Sequence, residues 1–184
     1  MLKLLAILVG LSGSLEAVAQ PEGNGGRSNI GAPVLLLADG VSTPCACAST
    51  TVPDTMKIFT LPAGQLANVG DMIHVIAGGT LAANTNTKAA RPKIGGVLLS
   101  VPTGATAAQI YWDVDIWLLK TGPNVQTWWE HAGVTNAYNG NGSGTLTLTD
   151  TAPIAIAIDA LNSTAVGAGS VTTQMLVVQY WPGS

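Results

Sequence analysis

The chain has 184 residues with 7 Lys and Arg against 10 Asp and Glu, so charged side chains make up 9% of it and the net charge is −3. An average soluble domain carries about 25%, and so sparse a set argues against a Lys/Glu-rich coiled coil, a solvated helix bundle or a nucleic-acid partner, whose phosphates need many cations. The apolar fraction of 47% argues equally against a charge-driven disordered chain.

Residues 1–19 combine Lys3, an apolar run from Leu4 to Leu11 and the small-residue site Ala17-Val18-Ala19. Two readings stand: a secretory signal cleaved after Ala19, or an apolar arm buried against a partner. The run is too short to span a membrane, and no membrane contact is expected of the mature protein. Residues 1–55 as a whole read as an extended arm. Its middle, Gln20 to Asn29, is rich in turn residues. Ile30 and the patch Val34-Leu35-Leu36-Leu37 are its candidate contact residues. Such a patch adds a strand to another chain's sheet, or serves as the first strand of its own domain. Cys45 and Cys47 are too few for a zinc site, and a bridge between them closes a strained ring. They read as two small buried apolar residues, with an intermolecular disulfide as the alternative.

From residue 57 onward the pattern is alternation with turn punctuation. Strands are predicted over residues 57–61 and 72–78, then over 89–94 and 97–100 as one strand kinked at Gly95-Gly96. The next is 109–120, with Ile110, Trp112, Val114, Ile116 and Leu118 on one face and Tyr111, Asp113, Asp115, Trp117 and Leu119 on the other. A tight connection through Thr121-Gly122-Pro123-Asn124 makes 125–134 its antiparallel neighbour. Residues 78–87 and 138–144 read as connections. Strands follow over 145–150, 154–161 and 171–181, with Ile154, Ile156 and Ile158 inward. The reverse side, with Ala155 and Ala157, is either a plain small-residue surface or a face packed on a neighbouring subunit. Eight strands of irregular spacing predict an all-β fold, an eight-stranded jelly-roll-type sandwich over 56–184 behind the arm.

Few residues carry chemistry. Asp113 and Asp115 share a face, and Glu130 on the next strand is placed to join them for oxygen ligation of Ca²⁺ or as a carboxylate pair. Solvated carboxylates are the plainer reading, and no metal or cofactor is expected. His74 and His131 fall into no Ser-His-Asp arrangement and no GxSxG elbow occurs, so no catalytic residue is named. Trp128 and Trp129 are adjacent on a strand and point to opposite faces. One belongs to the core; the other, with Trp112, Trp117 or Tyr111, forms a sugar-stacking platform or an interface anchor.

Residues 61–96 carry Leu61, Pro62, Leu66, Gly70, Asp71, Gly79, Thr80, Ala82, Asn84, Thr87, Lys88, Gly95 and Gly96 in a spacing that resembles a recurrent stretch of tailed-bacteriophage virion proteins. The resemblance extends over about residues 57–181. It implies a trimerising jelly roll found as a capsid decoration (cement) protein, a head fibre or a tail-fibre tip. On that reading Ile30 and Val34 to Leu37 grip the capsid. The partners are two further copies and the major capsid protein, and the protein sits on the outer surface of the capsid. The alternative is a secreted carbohydrate-binding sandwich.

Overall fold

The computed structural model describes residues 31–47, 51–106, 110–135, 137–163 and 169–183. Residues 1–19 and Ile30 lie outside these. The described residues form twelve strands: β1 (Val34–Asp39), β2 (Thr43–Pro44), β3 (Asp54–Leu61), β4 (Met72–Leu81), β5 (Asn84–Ile94), β6 (Val97–Leu98), β7 (Thr103–Thr106), β8 (Ile110–Gly122), β9 (Val125–Val134), β10 (Ala137–Leu146), β11 (Ile154–Asn162) and β12 (Val171–Trp181).

Two antiparallel sheets result. The larger runs β1-β12-β4-β8-β9-β10, with β2 also on β12; the smaller runs β3-β11-β5-β6, with β7 also on β5. Consider β1, β3, β4, β5, β6, β8, β11 and β12 as eight successive strands. The larger sheet then joins the first, eighth, third and sixth, and the smaller joins the second, seventh, fourth and fifth. That is the wiring of a jelly roll, and β9 and β10 extend its larger sheet as an inserted hairpin. The expected fold class holds.

The core lies between the sheets and follows period-2 alternation. Trp112, Val114, Ile116 and Leu118 of β8 are buried, as are Ile73, Val75 and Ala77 of β4. Ile154, Ile156 and Ile158 of β11 face them with Ile94 and Leu61. Gly79 in β4 leaves no room for a side chain. A Cβ there would collide with the Thr172 carbonyl and sit 2.9 Å from Trp112 Nε1, which donates to that carbonyl at 3.2 Å.

Leu61, Leu66, Asp71 and Lys88 of the motif at 61–96 are framework. Leu61 and Leu66 are core. The buried Asp71 carboxylate accepts from Asn68 N–H (2.7 Å), Tyr180 O–H (2.9 Å) and Gly183 N–H (2.8 Å), tying the end of the chain to the Gly70-Asp71 turn. Burial and this carboxylate push the Tyr180 phenol up to about 12. Lys88 is fully buried and donates to the Asn86 carbonyl at 2.7 Å; burial pulls its ammonium pKa down.

Five expectations are corrected. First, the sandwich does not begin at residue 56. Its first jelly-roll strand is β1, which pairs with β12 along Val34–Asp39. Asp39 is bound to the buried Lys57 of the opposite sheet at 2.6 Å, and that bond holds the Asp39 carboxyl below its usual range. Second, Cys45 and Cys47 are bridged to each other. The bridge is buried where the chain leaves β2, with Cys45 N–H on Val171 O (2.9 Å) and Cys47 N–H on Asp54 Oδ2 (2.5 Å).

Third, Gly95 and Gly96 do not kink one strand. Ile94 pairs with Val97, and the two glycines, at φ +58° and +82°, form a two-residue hairpin turn. The polar stretch at 78–87 is likewise mostly strand, divided between β4 and β5.

Fourth, the glycine-rich stretch at 138–144 is strand β10. Its glycines recur at every second position, on the inner face, where the Trp128 indole lies against the backbone. A Cβ on Gly142 would come within 2.8 Å of that ring, and one on Gly144 within 3.0 Å. Fifth, strand pairing stops at Leu146. Beyond it the fully buried Gln126 acts as a surrogate strand: its amide donates to Leu148 O (3.1 Å) and accepts from Leu148 N–H (3.0 Å). The segment ends on Asp150, which accepts from Gln126 (3.0 Å) and Asn124 N–H (2.7 Å) and pairs with Lys120. Burial alone would raise the Asp150 pKa, but Lys120 and these donors outweigh it and hold it low.

Candidate functional site

The outer face of the larger sheet gathers His74, Asp113, Asp115, Trp117, Trp129 and His131. Antiparallel register places Gln179, His74, Trp117, Trp129 and Ser143 in one row across β12, β4, β8, β9 and β10. Side chains on one sheet face at neighbouring strands stand about 5 Å apart, so flat rings in such a row stack. His74 lies on Trp117 at a centroid distance of 3.7 Å with 9° between planes. Trp129 follows on the far side at 6.3 Å and 8°. Trp181 leans on Trp117 at 6.1 Å and 51°.

The stack is fixed from behind. His74 is nearly buried, with Nε2 2.8 Å from Asp115 Oδ1 and Nδ1 3.2 Å from the Gln179 side-chain oxygen. Trp117 therefore has one face closed by a clamped imidazole and the other turned toward Trp129. Trp129 itself is 40% exposed. Beside the rings Asp115, His131, Asn141 and Ser143 line an open groove of about 440 Å³. Small-molecule sites span about 300–1,000 Å³.

Trp128 and Trp129 point to opposite faces, as expected: Trp129 is the exposed one, while Trp128 turns inward and packs against the core. Trp112 is core, 1% exposed. Tyr111 is exposed on the same face but six residues from Trp117 along β8, roughly 20 Å away at the strand rise. His74 and Trp181 were not foreseen as members.

Asp113, Asp115 and Glu130 do not converge. Asp113 and Asp115 point outward, with Asp113 3.8 Å from His131. Glu130 is cross-strand partner to the core residue Ile116 and is itself 3% exposed, on the inner face. Its carboxylate oxygens form no hydrogen bond of ordinary geometry, although Ser100 lies close enough to favour the charged form. Burial, the larger effect, raises the Glu130 pKa.

Of the candidate contact residues in the N-terminal segment, Leu36 and Leu37 are partly buried against the core, while Val34 and Leu35 are 50% and 58% exposed. β1 is an outer strand of its sheet, paired on one side with β12 among the described residues. Four consecutive apolar residues thus stand on a sheet edge.

Comparison with known proteins gives no matching family model and no matching curated protein. Among solved structures the chain is similar to the CBM2 module of the evolved Dit of Lactobacillus casei BL23 phage J-1. The two are 12% identical with a TM-score of 0.36, over 82% of this chain and 80% of that one. It is also similar to a protein of unknown function from Shewanella oneidensis MR-1, at 8% identity and a TM-score of 0.39, over 81% and 78% of the respective chains.

Proposed function

We propose that this chain is a structural virion protein of the tailed-bacteriophage jelly-roll kind: a decoration protein that assembles as a homotrimer on the outer surface of the capsid and binds the major capsid protein. The observation that carries the reading is the apolar edge strand β1. Soluble proteins guard sheet edges with charge, proline or bulges because an open edge recruits another strand. Here the pairing of β1 with β12 is bulged between Leu35 and Leu37, yet the edge still presents Val34 and Leu35 to solvent at half exposure or more. A partner strand laid on it gains main-chain hydrogen bonds and buries both side chains, which requires no catalytic group.

Two features support the same reading. The exterior carries little charge to keep a lone copy soluble. The smaller sheet also presents Ile58 (61% exposed) and Leu98 (38%) at the two ends of a row whose middle is Lys93 and the buried Ala157, the lysine being paired with Asp159. Such contacts stabilise a shell by area, at about 25 cal/mol per Å² of apolar surface removed from water.

The test is Leu35→Lys in the full chain, assayed by light scattering and by co-sedimentation with capsid shells lacking the protein. A charge on the edge should abolish shell binding and change folding stability by less than about 1 kcal/mol, because the side chain is exposed. Shell binding at wild-type strength in this variant, or no binding by the wild type, defeats the proposal. Truncation at residue 55 does not serve, since it removes the first strand of the jelly roll.

A further inference from the structure

We infer that the groove lined by Trp117, Trp129, Asn141 and Ser143 is a binding site for a neutral saccharide, which stacks on the exposed Trp129. The inference goes beyond the virion reading and does not depend on it.

A sugar ring has an apolar face of C–H groups and a rim of hydroxyls that both donate and accept. It needs a flat aromatic surface and mixed polar groups at its edge, and the groove supplies both. Trp117 and Trp129 stand near-parallel on two interior strands, which hold orientation better than loops do. Trp117 cannot tilt away, because His74 closes its rear face and is itself anchored by Asp115 and Gln179. The rim offers a carboxylate at Asp115, an amide at Asn141, a hydroxyl at Ser143 and an imidazole at His131. Asp115 keeps 44% of its side chain exposed despite its bond to His74, and Asn141 and Ser143 are exposed.

Charge selects among sugars. Asp113 and Asp115 stand on this face, and the chain has no Lys or Arg after Lys120. Lys120 is itself buried and paired with Asp150. An anionic ligand, whether phosphorylated, sulfated or carboxylated, meets repulsion here and no exposed Lys or Arg from β8, β9 or β10. The groove is open along the sheet, so it accommodates part of a chain as readily as a terminal residue.

The test uses full-length protein and four soluble neutral probes: the hexasaccharides of β-1,4-glucose, β-1,4-mannose, β-1,4-N-acetylglucosamine and α-1,4-glucose. Binding is read by isothermal titration and by quenching of tryptophan fluorescence. At least one probe should bind. Trp129→Ala and Asn141→Ala should each weaken it by about ten-fold or more, the usual consequence of losing a stacking or anchoring group. Tyr111→Ala, exposed on the same face but distant, should bind as the wild type does. Melting curves of the variants separate loss of binding from loss of fold. The inference is overturned if all four probes fail at millimolar concentration, or if Trp129→Ala binds unchanged. It is also overturned if Trp129→Ala dissociates an oligomer, which assigns the face to a second copy. Capsid binding is scored separately with Leu35→Lys, so the two proposals fail independently.

Discussion

Replacing Gln126 should unfasten the segment that follows β10. Gln126 is fully buried, and its amide satisfies both backbone groups of Leu148, whose side chain is itself core. Gln126→Ala leaves that N–H and carbonyl without partners in a buried site. Each unsatisfied buried group costs about 1–3 kcal/mol, so the pair amounts to about 4 kcal/mol. A domain of this size has about 5–15 kcal/mol in total and loses roughly 2–4 °C of Tm per kcal/mol. The expected fall is therefore about 12 °C. Thermal melts followed by circular dichroism, with urea titrations at unchanged m-value, measure it. Gln126→Leu separates the two sources of loss, because it fills the space without restoring a hydrogen bond. It should be nearly as unstable as Gln126→Ala. If Gln126→Leu melts within about 2 °C of wild type, the surrogate-strand account is refuted and Gln126 only fills volume.

Three further outcomes follow from buried groups. Glu130→Gln should stabilise the protein at neutral pH, because the fold raises the Glu130 pKa and so penalises the carboxylate. By linkage that penalty grows as pH rises from the ordinary glutamate value of 4.5 through the folded one, so in urea titrations across pH the variant's advantage should vanish below 4.5. Asp71→Asn should lower the Tyr180 phenol from about 12 without restoring 10.0, since burial, the larger cause, stays in place; ultraviolet titration of the phenols reads this. Gly142→Ala should cost about 1–3 kcal/mol, because its Cβ meets the Trp128 ring at 2.8 Å and Ser100 Oγ at 2.5 Å; near-ultraviolet circular dichroism should show the indole displaced.

The sandwich was legible where alternation is strict. The inward face of β8 reads directly from Ile110 to Leu118, and Ile154, Ile156 and Ile158 identify β11 as a core strand. It was illegible where a residue's role depends on what lies opposite. Glycines at alternate positions of β10 resemble a loop until Trp128 is known to lie on them. Val34 to Leu37 resemble an arm until Val178 to Tyr180 of β12, far along the chain, pair with them. Cys45 and Cys47 differ again: spacing argues against their bridge, and the bridged chain turns through a positive φ of 45° at Cys47 that no residue pattern announces.

For the site, the decisive feature is a single bulge. Without it, a two-residue turn at Pro123-Asn124 would set Trp117 opposite Glu130, and Glu130 would share the outer face with Asp113 and Asp115. The register instead shifts between Lys120 and Gly122, so Trp117 meets Trp129 and Glu130 turns inward. A one-residue slip exchanges the two faces of a strand. The same ten residues thus give either an acidic cluster suited to a cation or an aromatic row suited to a sugar. Sequence alternation cannot choose between these, because Trp128 and Trp129 are adjacent and each face receives one. The inner choice is then enforced by packing: Trp128 fits over Gly142 and Gly144, where Cβ atoms would strike its ring. The glycines of β10 therefore determine which tryptophan is left outside, and with it the chemistry that the face offers.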